Sequence, residues 1–375
     1  MHGKWFCKMI DSDFEKMFGS SKNAIVQAPG QALSVEDQQL MEFLKESAPR
    51  ILVIGTGGSG SNTINRLQEI GIAGTTLVAT NTDAQHLLRI KSHKKLLMGK
   101  KKTKGLGAGS NPEVGEAAAQ ESEQEIRQLL EGVDLVFITA GMGGGTGTGS
   151  AHVIAKAAKE AGAIVIAIVT TPFTSEGKRR MINANSGLDK LRKQADTTIA
   201  ISNDKLLYFV PDLPLNAAFK VADTVLANAV KGIAELITKP GLVNLDFADI
   251  RTILERGGMA VIGLGEVAGA EGKDRVAQAA EKALASPLLD VDYGAADRAL
   301  INVTGADDLT LGEAESAVSA IAAKIHKDAH IIWGATVDNS MDKRAVRVMC
   351  VLAGIKEAPA PEQQKQAALE DVEFI

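Results

Sequence analysis

The run Gly141-Met142-Gly143-Gly144-Gly145-Thr146-Gly147-Thr148-Gly149-Ser150 constrains this chain more than any other stretch, because six of its ten residues are glycine. It follows an apolar strand pattern, VDLVFITAG over 133–141, and precedes a helical one. A turn that only reverses the chain needs one or two glycines. Six imply a nest of backbone N–H groups around an anion, with Thr and Ser hydroxyls assisting. Glycine is in excess throughout, at 37 of 375 residues, about a tenth against a usual ~7%. Aromatics are only 4%. The excess belongs to a protein whose backbone must approach something closely.

Two more glycine clusters lie upstream. After a buried strand, ILVIG over 51–55, the segment GTGGSGSNT places Gly55, Gly57 and Gly60 in a GxGxxG pattern that opens a helix through Ile64 and Leu67. Asp83 lies 23 residues past Gly60, near the end of a second strand, TTLVAT over 75–80. A ribose-binding acid sits there in a dinucleotide fold. Alone, this motif serves an NAD-dependent enzyme or plain helix–strand packing equally well. The third cluster is Gly105-Leu106-Gly107-Ala108-Gly109-Ser110. Three such loops at one sheet edge call for a polyphosphate rather than a single pyrophosphate bridge. No loop contains GKS or GKT, which excludes a P-loop. Phosphate charge would then be met by amides, a helix dipole and Mg²⁺.

Further strand patterns, AIVIAIVT over 163–170 and TTIAIS over 197–202, alternate with helices and imply parallel βαβ units. In such sheets a ligand sits beyond the carboxyl ends of the strands, where every glycine-rich loop is found. A long helical pattern from Leu215 to Thr238 follows and stops at Lys239-Pro240-Gly241. It is apolar over much of its circumference, as expected of a helix buried between two domains. Strand candidates at 259–265, 299–305, 330–337 and 346–352 then form a second domain, with helices around Val276–Ala285 and Leu311–Ile325 between them. The expected organisation is an extension over 1–33, a nucleotide-binding domain over 34–214, a central helix over 215–239, a second α+β domain over 240–355 and a disordered tail over 356–375.

No stretch is long and apolar enough to span a bilayer, and mean hydropathy is +0.03. Asp11, Asp13 and Glu15 interrupt the N-terminal segment where a signal peptide needs an apolar run. Cys7 and Cys350 cannot make a disulfide framework, so a reducing cytoplasm is the expected compartment. A net charge of −5 argues against nucleic acid as partner. Trp5, Phe6, Met9, Ile10, Phe14, Met17 and Phe18 share one helical face, which suits a membrane surface, a partner or the chain's own domain. Ser34 and Asp37 resemble a capping box opening a short helix. The terminal LEDVEFI reads as a partner-binding peptide or a frayed end.

GGGTGTGS at 143–150 resembles the signature of the FtsZ/tubulin superfamily. NTDAQ (81–85), GLGAGSNP (105–112), TPFTSEGKRRM (171–181), ISNDKL (201–206) and NLDFAD (244–249) resemble FtsZ segments in FtsZ order, most like archaeal forms. The resemblance covers about residues 34–355. It implies a tubulin/FtsZ fold: an α/β, Rossmann-like parallel-sheet GTPase domain, a long central helix and a second α+β domain. It also implies GTP/GDP and Mg²⁺ as cofactors. Implied nucleotide contacts are Gly57, Gly58, Ser59 and Asn62; Asn81 and Asp83; Ala108 and Gly109; and Gly143, Gly144, Gly145, Thr146, Gly147, Thr148 and Gly149. Glu176 matches the ribose-binding acid and Arg180 an arginine near the nucleotide. Asn203 matches a contact to the base, and Phe219 would stack on the purine. Asp223 stands where many bacterial forms carry Asn. It suits guanine, whose N1–H and N2–H₂ offer two donors to one carboxylate, whereas adenine N1 would repel it. Singly, Arg180 could equally pair with a surface acid, Phe219 could be core and Asp223 solvated.

The nucleotide loops supply no obvious general base. Asp246 and Asp249, three residues apart after Asn244, share a face at a helix start. Capping is the competing role for them. By similarity to FtsZ this loop lies at the pole opposite the nucleotide and enters the next subunit's pocket in a head-to-tail filament. The implied function is a polymerisation-dependent GTPase of the mid-cell division ring. Its implied partners are its own copies and a membrane-anchoring adaptor. The different-class alternative is a GTP-binding paralogue without useful turnover. FtsZ usually has Pro where this chain has His152, which alters local stiffness or adds a pH-sensitive contact. The seven lysines from Lys91 to Lys104 read as a solvated face.

Overall fold

A computed structural model of the chain describes residues 48–206, 214–239, 241–243, 245–268, 274–289, 293–338 and 341–355. The N-terminal amphipathic face, the Ser34 capping box, the LEDVEFI end and Asn244 lie outside the described residues.

In chain order the first half runs β1 (Ile51–Thr56), α1 (Gly57–Ile70), β2 (Thr75–Asn81), α2 (Ala84–Arg89), β3 (Lys94–Leu97), α3 (Lys100–Thr103), α4 (Pro112–Glu121) and α5 (Glu123–Leu130). It continues with β4 (Leu135–Gly141), α6 (Thr146–Glu160), β5 (Ile164–Thr171), α7 (Lys178–Arg192), β6 (Thr197–Ser202) and α8 (Asn203–Leu206). The second half has α9 (Leu215–Thr238), α10 (Phe247–Leu254), β7 (Gly258–Val267), α11 (Arg275–Leu284), β8 (Arg298–Gly305), α12 (Leu311–Ala322), β9 (His330–Val337) and β10 (Val346–Ala353).

All ten strands join one sheet in the order β3-β2-β1-β4-β5-β6-β7-β10-β8-β9. Only β10 is antiparallel to its neighbours. The sheet is therefore continuous where the sequence reads as two domains: Thr197, Thr198 and Ile199 of β6 pair with Gly258, Met259 and Ala260 of β7.

Strand alternation sorts the core into layers. Ile51, Val53, Leu135, Phe137, Ile164, Ile166 and Ile168 face one cluster. Leu52, Ile54, Val136, Ile138, Val165, Ala167 and Val169 face the other. Both faces are covered, which is why these strands read as unbroken apolar runs. Helix α9 lies in the first cluster, with Val225, Leu226, Val230 and Ile233 packed among residues of β1, β4 and β5 and also Leu300, Met349 and Val351 of the second half. It bridges the halves as its apolar circumference predicts.

The lysine run forms the expected solvated face, part of it on an edge strand. Its seven lysines are exposed, yet Lys94 and Lys95 begin edge strand β3, paired to β2, and Leu96 is buried beneath them. His152 is the seventh of the 15 residues of α6, past its first turn, with Nε2 3.2 Å from Glu116 Oε1, and Lys190 Nζ is 2.7 Å from Glu116 Oε2. Burial works to raise the Glu116 carboxyl, but the hydrogen bonds from Lys190 and His152 outweigh it and hold it below the usual carboxylate range.

In the second half, buried Arg275 donates to Glu313 Oε1 at 2.9 Å and to Asp308 Oδ2 at 2.8 Å, tying α11 to α12. Removing one member of such a pair strands the others. Arg275→Ala is expected to destabilise the fold by about 3 kcal/mol, at the low end because Asp308 is partly solvated. Chemical denaturation measures it.

Candidate nucleotide site

The parallel strands bring their carboxyl ends to one edge, and the three glycine clusters meet there. Gly57 has φ +75°, and a Cβ on it would lie 2.7 Å from the amide nitrogen of Gly147, so the first and second loops touch. A Cβ on Gly145 would lie 2.8 Å from Ala108 Cβ and 2.9 Å from the Asn111 nitrogen, which seats the third loop on the second. Hydroxyl pairs stitch the assembly: Thr56 to Ser150 at 2.6 Å and Thr82 to Thr146 at 2.6 Å.

Helices α1 and α6 both start at this junction. Neither has a side-chain cap, and neither has an acidic residue in its first turn. Their leading N–H groups and positive dipole ends therefore converge on one place, the arrangement that holds phosphate. The amides of Gly144 and Gly145 have no acceptor among the described residues. Around Gly58, Gly109 and Gly144 there is open space for a ligand.

Not every glycine faces that space. The Gly149 amide donates to Gly145 O at 3.0 Å, and a Cβ there would meet Pro112 O at 2.1 Å. The Gly143 amide is taken by Thr148 Oγ1 at 2.8 Å. For Gly149 and Gly143 the reading as amide donors to an anion therefore gives way to these internal hydrogen bonds. Asp83 likewise serves as N-cap of α2, accepting from the His86 amide at 2.9 Å. That uses one of its two carboxylate oxygens.

The side chains for the sugar and base come from other elements. Glu176 Oε1 accepts from the Phe173 amide at 2.9 Å, and its other oxygen pairs with Arg180. The surface acid available to Arg180 is thus Glu176 itself. Phe219 of α9 is 37% exposed and rests edge-on against Phe173, with ring centroids 5.3 Å apart at 75°. Phe173 is the buried support for that face, and only its place in TPFTSEG hints at it. Asn203 is buried, and its Oδ1 has no partner among the described residues. An orphaned acceptor costs free energy until a donor arrives. Asp223 of α9 accepts from Ser59 Oγ at 3.3 Å, linking the central helix to the first loop. Burial pushes its carboxyl up to about 7, opposed by the Ser59 hydrogen bond.

Asp246 and Asp249 are not brought to this edge. Both are exposed at the start of α10, where Asp249 Oδ2 accepts from the Asp246 amide at 3.3 Å. Helix α9 sets the separation. Asp223 sits by Ser59, Lys231 donates to Ile70 O at the far end of α1, and Thr238 abuts Gly74 before β2. From Asp223 to Thr238 the helix covers roughly 22 Å at ~1.5 Å per residue. Helix α10 is held at the opposite, amino-terminal edge of the strands, where Thr197 Oγ1 at the start of β6 donates to Leu254 O at 2.6 Å.

A parallel sheet with three glycine-rich loops under two uncapped helix starts, and no P-loop, defines a nucleotide-binding α/β protein built on amides rather than a lysine. Residues 50–211 match the model of the Tubulin/FtsZ family, GTPase domain, and residues 258–356 that of the FtsZ family, C-terminal domain. The chain belongs to the FtsZ family and is a GTPase. It is 55% identical over 322 residues to Cell division protein FtsZ 1 of Archaeoglobus fulgidus, covering 86% of each chain. It is 52% identical over 349 residues to Cell division protein FtsZ of Haloferax mediterranei, covering 91% of each. Among solved structures, the empty FtsZ dimer of M. jannaschii superposes with a TM-score of 0.82 at 52% identity, over 86% of this chain and 93% of that one.

Proposed function

We infer that this chain is a cell-division GTPase that assembles head to tail, each active site being completed by Asp246 and Asp249 of the next copy. The carrying observation is the separation just described. One chain holds a phosphate nest at one pole and the candidate water-directing acids Asp246 and Asp249 at the other, with α9 between them. The relatives support the reading, since they carry the names of cell-division proteins and one structure is a dimer. A contact between unlike poles repeats without closing and makes a filament.

Water would attack the γ-phosphorus of GTP as the bond from that phosphorus to the β–γ bridging oxygen breaks. The incoming carboxylates orient the water and draw on its proton, while the Gly144 and Gly145 amides and the α1 and α6 dipoles meet charge on the phosphate oxygens. No group of three or more acidic, histidine or cysteine side chains is placed to cage a metal among the described residues. Mg²⁺ bound with the phosphates beside the loop hydroxyls would neutralise phosphate charge. Asn203 and Asp223 would accept from guanine, Phe219 would cover the base and Glu176 the ribose. The adaptor at the membrane, and contact through residues 1–18, belong to the same proposal. Vesicle flotation of the chain lacking residues 1–18 tests the latter, and unchanged binding would discard it.

Asp223 gives a pH signature. Guanine's donors need the ionised carboxylate, whereas burial keeps the Asp223 carboxyl protonated up to about pH 7. Below that pH, binding must expel the proton. Affinity for GDP should thus fall as pH drops, approaching about tenfold per unit, and level off above pH 7. Asp223→Asn should flatten the profile. Calorimetric titration between pH 5.5 and 8 reads both.

A further inference from the structure

The geometry points to His86 as a positioning residue that joins two separate nucleotide-contacting elements, and the assignment rests on the nucleotide reading above. His86 Nδ1 lies 3.1 Å from Asn81 Nδ2 at the end of β2, and its Nε2 lies 3.1 Å from Asn62 Oδ1 on α1. These bonds fix which nitrogen carries the proton. Asn81 Oδ1 accepts from the Thr82 amide at 2.8 Å and the Asp83 amide at 3.3 Å. The amide group of Asn81 must therefore turn its NH₂ toward the imidazole. An NH₂ only donates, so Nδ1 accepts and Nε2 bears the hydrogen given to Asn62.

The ring is itself held in place, because the Asp83 cap on the His86 amide sets the start of α2. His86 thus does locally what the Thr82–Thr146 hydroxyl pair does toward α6: it ties the end of β2 to a loop that receives phosphate. Without it, Asn62 and Asn81 lose their shared anchor. The ligand would then bear the cost of ordering them.

The side chain needed is one acceptor and one donor about 2.2 Å apart, which a glutamine amide reproduces. A phenylalanine keeps the ring volume and supplies neither. The test measures binding of a fluorescent GDP analogue below the assembly threshold, turnover at saturating GTP, and the melting temperature of the nucleotide-free protein. His86→Ala and His86→Phe should each weaken binding about five- to thirtyfold, as the loss of one or two hydrogen bonds implies. Turnover at saturation should stay within about twofold, and His86→Gln should bind like the parent. Equal binding by the parent and His86→Phe would overturn the assignment, as would a Gln variant as weak as Ala. A parent chain that fails to bind GDP at all would instead overturn the nucleotide reading, and this one with it.

Discussion

Replacing Asp249 by alanine should leave GTP binding within about twofold of the parent and lower turnover by ~10²-fold or more, the range for loss of a group that directs the attacking water. The variant should still sediment with GTP. The Asp249 side chain is exposed and accepts one hydrogen bond, from the Asp246 amide at 3.3 Å, while its own amide bond to Asp246 O at 3.0 Å survives the substitution. Stability should therefore fall by only about 1 kcal/mol, the worth of a helix-start contact. That small cost separates the two roles. A residue that only caps α10 would change melting and spare catalysis. Phosphate release, nucleotide binding and pelleting on one preparation decide between them, and undiminished turnover in mutant filaments would remove Asp249 from the mechanism.

At the other pole, Gly145→Val should abolish measurable GTP binding, a loss of about 100-fold or more. Any Cβ at this position meets Ala108 Cβ at 2.8 Å and backbone atoms of Asn111 at 2.9 and 3.0 Å. None of these is a flexible side-chain end, so the third loop must move off the second. Overpacking of this kind costs about 1–3 kcal/mol, which a core of this size tolerates. The damage falls instead on the amides of Gly144 and Gly145 and on the start of α6. Filter binding of labelled GTP measures it, with circular dichroism to show that the fold persists. The two variants also complement one another. A mixture of Asp249→Ala, which keeps its nest, with Gly145→Val, which keeps its acids, should regain part of the turnover that each lacks alone.

How much of this was open to reading in the sequence differs by element. The glycine clusters are legible because so few folds need them, and the long central helix because its apolar spacing runs for 24 residues. Strand β3 is not, because exposed Lys94 and Lys95 hide the alternation that buried Leu96 betrays only in the sheet. Helix α4 carries a readable start in Asn111-Pro112-Glu113, where Asn111 caps the Glu113 amide, although the cluster of glycines before it masks the signal. Counting glycines overstates the free amides, since those of Gly149 and Gly143 are taken by Gly145 O and Thr148 Oγ1, which no single-sequence pattern distinguishes. The single sheet through β6 and β7 rests on three residue pairs, which leave no trace in periodicity. Asp223 could be named as a base contact, but its raised carboxyl depends on burial between α9 and the first loop. His86 carries no motif at all. Its role exists only because β2, α1 and α2 meet.

The claim that one chain's nest works with another chain's acids is tested most directly by phosphate release from GTP across a range of protein concentrations, with pelleting in parallel. The predicted result is a threshold, below which turnover is negligible and above which specific activity rises with polymer. Turnover strictly proportional to protein at every concentration, with nothing in the pellet, would mean that a single chain holds a complete active site, and would contradict the account.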